Sequence, residues 1–189
     1  MMRSGNLFSL PNLLTYSRIL MIPLLVFVFY LPWKASGLAA AGIFILAAIT
    51  DWFDGFLARK LNQDSKLGQF LDPVADKLIV VVTLVILVEY QGVWYFTVPA
   101  CLIIAREIAI SALREWMAQG AYRGLVAVSA LGKWKTTLQM VAMIVFLARL
   151  PSWGEAYETL SYCILYLATV LTFLSMINYL KAAWIELKK

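Results

Sequence analysis

The chain has 189 residues, of which 62% are hydrophobic and only 14% are charged, with a formal net charge of +5. Soluble domains are about 25% charged, so this composition excludes an ordinary soluble protein and, equally, a disordered chain. No histidine is present, which excludes a Ser-His-Asp triad and an imidazole zinc site. Acid–base chemistry therefore falls to carboxylates, Lys, Tyr or Cys. Cys101 and Cys163 lie in apolar runs and are expected to be small buried residues.

The hydropathy pattern predicts an all-α, polytopic membrane protein with six transmembrane helices. Apolar stretches of about 20 residues are long enough to cross a bilayer, where helices satisfy their own backbone groups. The predicted spans are residues 13–31, 38–61, 68–90, 93–116, 126–150 and 157–180. Residues 1–12 are predicted to form a short interfacial segment. We expect residues 1–189 to form a single integral membrane domain.

The charges of spans two to five occupy one half of each span. The charged half is the C-terminal half in spans two and four and the N-terminal half in spans three and five. Successive spans cross the membrane in opposite directions. All four halves therefore lie on the same side, where they are predicted to enclose a polar chamber that is sealed on the other side. Of the 16 Lys and Arg residues, only Lys34 and Arg149 fall on that other side. The positive-inside rule thus places the chamber in the cytoplasmic half and both termini in the cytoplasm.

Four aspartates lie at the charged ends of spans two and three. Asp51 and Asp54 are three residues apart and Asp72 and Asp76 are four apart, so each pair shares one helix face. The short connection makes the two helices antiparallel neighbours, which lets both pairs converge. Converging carboxylates at membrane depth need protons, salt bridges or bound cations. Oxygen ligands alone suit Mg²⁺ or Mn²⁺, and four carboxylates suit two ions, whereas helix caps and interfacial ion pairs are the alternative interpretation.

Small residues accompany these acids at helical spacing. Gly55, Ala58 and Gly68 favour either a nucleotide or phosphate lying against the helix or ordinary close packing of helices. From Asp51 to Asp76 the sequence reads D-x2-D-G-x2-A-R-x8-G-x3-D-x3-D. With this signature the chain resembles the CDP-alcohol phosphotransferase family, and the resemblance extends over nearly its whole length.

The resemblance implies a six-helix membrane enzyme of phospholipid biosynthesis, usually a homodimer, that displaces CMP from a CDP-linked lipid with an acceptor hydroxyl. It implies that the four aspartates hold two Mg²⁺ or Mn²⁺ ions. Asp76 is further implied as the catalytic base that takes the proton of the acceptor. The residues implied to bind CDP-diacylglycerol are Thr15, Asp51, Asp54, Gly55, Ala58, Arg59, Gly68 and Asp72.

Basic residues of spans four and five indicate the acceptor. Arg106 and Arg114 are eight residues apart and share a helix face, and of Lys133 and Lys135 only one can point fully inward, for which we favour Lys135. Glycerol 3-phosphate fits, with its phosphate on Arg106, Arg114 and Lys135 and its hydroxyl towards the metals. Choline and ethanolamine are cationic and need no such cluster. Alternatively, each arginine pairs with the glutamate that follows it or holds a lipid headgroup.

The resemblance and the basic residues together imply transfer of a phosphatidyl group from CDP-diacylglycerol to glycerol 3-phosphate in the bacterial cytoplasmic membrane. A different acceptor, such as phosphatidylglycerol or an inositol phosphate, is the nearest alternative. A divalent-cation transporter is the alternative from another class, since intramembrane carboxylates also serve transport. The uncharged, apolar halves of the spans argue against a transporter, because a conducting path needs polar groups on both sides of the membrane midplane. Arg18 is expected at the level of the lipid headgroups.

Overall fold

A computed structural model describes residues 10–61, 66–119, 130–149 and 154–187. Nearly all of these residues are helical, and no strand occurs among them. The helices are α1 (Leu10–Tyr30), α2 (Ser36–Leu61), α3 (Lys66–Gln91), α4 (Trp94–Gln119), α5 (Ala130–Ala148) and α6 (Gly154–Leu187). Each predicted span coincides with one helix, which confirms the all-α prediction. The start of span five and most of the interfacial segment lie outside the described residues.

Three helices contain stretches that are long and apolar enough to cross a membrane. These stretches are Leu13–Tyr30 in α1, Trp94–Met117 in α4 and Gly154–Lys181 in α6. Shorter apolar stretches occur in α2 (Ser36–Asp51) and α5 (Trp134–Ala148), where charged residues interrupt the apolar sequence. Many large apolar side chains on the helices are exposed, as contact with lipid tails requires. The chain is thus a membrane protein, and the count of six spans stays a prediction.

The two cysteines are exposed, which corrects the prediction that they are buried. Cys101 lies on α4 and Cys163 on α6, and both are free thiols. In a bilayer the outer surface of a helix is itself an apolar environment, so a small apolar side chain is as well placed facing lipid as facing the protein interior.

The chain divides into two compact units. The first is Met1–Ile86 with Leu147–Arg149, and the second is Leu87–Phe146 with Leu150–Lys189. The first unit thus contains α1, α2 and most of α3, and the second contains α4, most of α5 and α6. The predicted single domain of 189 residues stays a prediction.

In the first unit, α1 packs against α2. Phe29 and Ala40 are fully buried in this core. The start of α2 approaches the end of α5 closely, since a Cβ atom on Gly37 would meet the carbonyl oxygen of Leu147 at 2.5 Å. The guanidinium carbon of Arg149 lies 3.6 Å from the ring centroid of Phe29. Only glycine fits at position 37 without displacing that backbone.

In the second unit, α4 packs against α6 with an aromatic cluster at one end. The Tyr95 and Tyr162 ring centroids are 5.2 Å apart, and those of Phe96 and Phe146 are 4.8 Å apart. Arg106 follows Tyr95 by eleven residues, which is about 16 Å along α4, and its contacts on α6 lie correspondingly further along that helix. The two helices therefore run parallel.

Candidate functional site

Aspartates of α2 and α3 meet donors from α1. Arg18 Nη1 lies 3.1 Å from Asp51 Oδ1 and donates a hydrogen bond to Asp76 Oδ1. One turn earlier on α1, the Thr15 hydroxyl donates to Asp72 Oδ1. We refer to Thr15, Arg18, Asp51, Asp72 and Asp76 as the acidic cluster. Because Asp51 and Asp76 contact the same nitrogen atom, α2 and α3 bring their carboxylates together, as the predicted antiparallel arrangement requires.

Burial differs sharply within the acidic cluster. Thr15 and Arg18 are each 1% exposed, whereas the side chains of Asp51 and Asp76 are 44% and 42% exposed. The donors thus belong to the packed interior, and the carboxylates open towards the surroundings. A buried guanidinium is stable only when it is paired, so Arg18 and the two carboxylates depend on each other.

Arg18 was expected at the level of the lipid headgroups, and the structure shows that its side chain faces aspartates inside the protein. Arg18 and Asp76 are 58 positions apart in the sequence, and a local sequence pattern cannot predict a contact over that separation. One signal was available: Thr15 and Arg18 are three residues apart on α1 and share a face, like the members of each aspartate pair. A polar face on an otherwise apolar helix needs partners inside the protein.

The remaining motif positions fall on the same helices. Gly68 is buried in the first turn of α3, one turn before Asp72. Asp54, Gly55, Ala58 and Arg59 lie on α2, but their side chains are outside the described part of the chain.

The donor set of the acidic cluster fits a hard divalent cation. All candidate ligand atoms are carboxylate oxygens, and two of the carboxylates already converge on a positive charge. Among the side chains that the structure describes, no group of three or more His, Cys, Asp and Glu residues forms a metal cage. The contacts explain this arrangement, since Asp51 and Asp76 face Arg18 while Asp72 accepts from Thr15. The two-metal site stays a prediction.

A second polar cluster, of opposite charge, joins α4, α5 and α6. Glu107 Oε1 accepts hydrogen bonds from Arg106 Nη1 at 3.0 Å and from Lys135 Nζ. Arg106 Nη2 also donates to Ser175 Oγ at 3.0 Å, and the guanidinium carbon lies 5.8 Å from the ring centroid of Tyr179. We refer to Arg106, Glu107, Lys135, Ser175 and Tyr179 as the basic cluster.

The basic cluster contains two of the three residues predicted to bind the acceptor. Lys135 is 1% exposed and Arg106 is 9% exposed, so both point into the protein. The side chains of Arg114 and Lys133 lie outside the described residues. The alternative pairing of Arg106 with the glutamate that follows it is also present. Glu107 shares its oxygen with Lys135, however, so two cations face one carboxylate.

Three buried polar atoms near the basic cluster lack a hydrogen-bond partner among the described residues. They are Arg106 Nε, Gln139 Oε1 and Thr172 Oγ1. Gln139 follows Lys135 by one turn of α5, and Thr172 precedes Ser175 by one turn of α6. Sequence reasoning missed Gln139 and Thr172, although four-residue and three-residue spacings from polar neighbours place each on the same helix face as its neighbour.

Comparison with known proteins identifies the family of the chain. A model of the family described as CDP-alcohol phosphatidyltransferase matches residues 8–174. Three relatives named CDP-diacylglycerol–glycerol-3-phosphate 3-phosphatidyltransferase, from Escherichia coli (strain K12), Shigella flexneri serotype 5b (strain 8401) and Shigella boydii serotype 4 (strain Sb227), are each 52% identical to the chain over 180 residues. The alignments cover 95% of this chain and 97% of each relative. The chain therefore belongs to the CDP-alcohol phosphatidyltransferase family.

Proposed function

We propose that the chain transfers the phosphatidyl group of CDP-diacylglycerol to glycerol 3-phosphate, forming phosphatidylglycerophosphate and CMP. The names of relatives that are 52% identical over 95% of the chain support this reaction. The structural observation that carries it is the presence, in one membrane chain, of a carboxylate cluster and a buried basic cluster. A carboxylate cluster can bind the cations that neutralise a pyrophosphate, and a buried basic cluster can bind the phosphate of an acceptor.

The acidic cluster supplies the catalytic side of the proposal. Asp51, Asp54, Asp72 and Asp76 would hold two Mg²⁺ or Mn²⁺ ions, which when bound would neutralise the pyrophosphate and stabilise the departing CMP. Asp76 would take the proton of the acceptor, since a carboxylate is the available base in a chain without histidine. The Thr15 hydroxyl fixes one oxygen of Asp72, and so restricts the directions in which that carboxylate can point.

The proposed CDP-diacylglycerol site lies along α2 and α3. Small residues there would leave room for the cytidine diphosphate against the helix backbone, and Arg59 would pair with a phosphate oxygen. The residues proposed to form this site are Thr15, Asp51, Asp54, Gly55, Ala58, Arg59, Gly68 and Asp72.

The basic cluster supplies the acceptor side. Arg106, Arg114 and Lys135 would bind the phosphate of glycerol 3-phosphate. The buried cations favour an anion, and Arg106 Nε offers a donor that no described residue uses. The acceptor hydroxyl oxygen then forms a bond to the phosphorus that carries diacylglycerol. The bond from that phosphorus to the CMP oxygen breaks, and the hydroxyl proton passes to Asp76.

We further propose that the enzyme is a homodimer in the bacterial cytoplasmic membrane with six spans. Three helices are apolar and long enough to cross, and the relatives are bacterial. Of the 16 Lys and Arg residues, 14 lie on the side predicted to be cytoplasmic, because only Lys34 and Arg149 fall on the other. This distribution supports a polar chamber and both termini on the cytoplasmic side.

The direct test is CMP release by the purified full-length protein. CDP-diacylglycerol and Mg²⁺ are supplied with glycerol 3-phosphate, inositol, inositol phosphate, serine or phosphatidylglycerol in turn. We expect release with glycerol 3-phosphate alone. Release with a different acceptor alone would reject the acceptor assignment. No release with any acceptor would reject the enzyme class and leave cation transport, which Mn²⁺ flux into reconstituted vesicles measures.

A further inference from the structure

Glu107 occupies an unusual position in the basic cluster, because one of its oxygens serves both cations. Oε1 accepts from Arg106 Nη1 and from Lys135 Nζ. The two cations are therefore held close together by a single negative charge. Without an anion between them, two buried positive charges would repel each other strongly. The carboxylate thus stands where an anion bound to both cations would stand.

The two cations are anchored differently. Arg106 has two further contacts, the hydroxyl of Ser175 at 3.0 Å and the ring of Tyr179. These contacts hold the guanidinium in place whether or not Glu107 is present. Among the described residues, Glu107 is the only ion-pair partner of Lys135. Glu107 is therefore most important for keeping Lys135 aligned when no ligand is bound.

Glu107 is also the most accessible charged member of the cluster. Its side chain is 23% exposed, whereas those of Arg106 and Lys135 are 10% and 1% exposed. A partly exposed carboxylate can turn away from its partners and be solvated, but the buried cations cannot follow it without losing their packing. Glu107 is thus the member of the basic cluster that can move most easily.

The cluster retains capacity for a further anion. Two positive charges face one negative charge, and Arg106 Nε is buried without a partner among the described residues. A phosphate dianion has twice the charge of a carboxylate and more acceptor oxygens. It can therefore pair with both cations and also accept from Nε, which the single oxygen of Glu107 does not do.

We propose that Glu107 is a positioning residue that acts as an exchangeable internal anion in the acceptor site. It keeps Arg106 and Lys135 aligned in the empty protein and yields its place to the phosphate of the acceptor. This inference rests on the proposed function, in which glycerol 3-phosphate is the acceptor. It adds a source of selectivity, because an uncharged alcohol cannot compensate the cations and so cannot displace the carboxylate.

An internal competitor weakens the apparent affinity of the ligand that must displace it. The apparent dissociation constant rises in inverse proportion to the fraction of protein that is free to bind. If Glu107 covers the cations in about four fifths of the molecules, its removal strengthens phosphate binding about fivefold. Glu107→Gln removes the charge and keeps an oxygen that can accept from both cations. The matched control is Glu158→Gln, which removes an exposed charge from α6 in the same unit.

The experiment measures binding of inorganic phosphate to the purified full-length protein by calorimetry, without CDP-diacylglycerol, and the KM for glycerol 3-phosphate. We expect Glu107→Gln to bind phosphate about fivefold more tightly and to lower KM by a similar factor, with Glu158→Gln like the wild type. Unchanged or weaker phosphate binding in Glu107→Gln would overturn the proposal, because Glu107 would then be only a structural brace.

Two further arms keep the test decisive. If Glu107→Gln does not fold, Glu107→Asp retains the charge on a shorter side chain that reaches the two cations less well. Tighter phosphate binding than in the wild type supports exchange, and equal or weaker binding refutes it. The phosphate measurement needs no turnover. A wild type that releases no CMP with glycerol 3-phosphate therefore rejects the proposed function, whereas the phosphate affinities of the variants decide the role of Glu107.

Discussion

The acidic and basic clusters are opposite in charge but similar in construction. In each, a majority of like charges is held by one ion of the other sign: Arg18 among aspartates and Glu107 between two cations. The minority ion is buried in the acidic cluster and partly exposed in the basic cluster. A buried counter-ion is part of the packed scaffold, whereas an exposed one can be replaced by a ligand. The two clusters should therefore respond differently when their counter-ions are removed.

The largest expected effect concerns Asp76, the predicted base of the acidic cluster. Asp76→Asn keeps an oxygen that can accept from Arg18 but cannot take a proton from the acceptor. We expect kcat to fall about 10³-fold, within the range known for general bases, while Mn²⁺ binding persists. CMP release measures the first effect and electron paramagnetic resonance of Mn²⁺ measures the second.

The control for Asp76→Asn is Glu155→Gln, which removes an exposed acid at the start of α6. Its turnover should match that of the wild type. Turnover of Asp76→Asn within a few-fold of the wild type would end the assignment of Asp76 as the base.

A substitution in the basic cluster should raise KM for the acceptor more than it lowers kcat. Lys135→Gln removes one of two buried cations and leaves Glu107 paired with Arg106, so the fold is retained. Losing one partner of a buried charge pair costs about 2–5 kcal/mol in binding, so we expect KM for glycerol 3-phosphate to rise at least 30-fold. Steady-state kinetics separate KM from kcat. Lys181→Gln, an exposed change on α6, is the control, and a loss confined to kcat would contradict acceptor binding by Lys135.

Removing the buried counter-ion should cost stability. Arg18→Gln leaves Asp51 and Asp76 facing each other without their shared cation. Breaking a buried pair costs about 3–5 kcal/mol, and the partial exposure of both aspartates reduces this to about 2 kcal/mol. For a chain of this size we expect the melting temperature in EDTA to fall by about 5 °C.

The same measurement compares the two clusters. Added Mg²⁺ or Mn²⁺ should recover part of the melting temperature of Arg18→Gln, because a divalent cation replaces the lost positive charge between the carboxylates. Glu107→Gln should also lower the melting temperature, because it leaves two buried cations without an anion, but added phosphate and not a divalent cation should recover it. Failure of phosphate to recover the melting temperature of Glu107→Gln would contradict the interpretation of Glu107 as an exchangeable ion.

Much of the acidic cluster was predictable because a lipid bilayer allows few backbone conformations. A chain that must satisfy its own hydrogen bonds forms helices, and helical spacing then decides which acids share a face. Asp51 and Asp76 were expected to converge on this basis, and the structure brings them to one nitrogen atom. The bounds of the helices follow for the same reason, since apolar length and turn residues mark each end.

The counter-ions were harder to predict because they depend on contacts between distant helices. The contact between Arg18 and Asp76 joins residues 58 positions apart, and the one between Lys135 and Glu107 joins residues 28 apart. Hydropathy assigns an arginine near a helix end to the headgroups unless its partner is known. The buried Gln139 and Thr172 escaped notice similarly, since one neutral polar residue changes a hydropathy pattern little.

The smallest expected effect concerns the hydroxyl that orients Asp72. Thr15→Val keeps the branched shape of the side chain in a fully buried position but removes the donor to Asp72 Oδ1. One hydrogen bond to a partly solvated carboxylate contributes about 1 kcal/mol, so we expect kcat/KM to fall about fivefold. Thr97→Val is the matched control, because the Thr97 hydroxyl donates to the carbonyl of Val93, the residue that precedes α4. If both variants lose activity equally, the hydroxyl of Thr15 stabilises its helix and does not orient Asp72. If only Thr15→Val is impaired, α1 contributes to the acidic cluster through Thr15 in addition to Arg18.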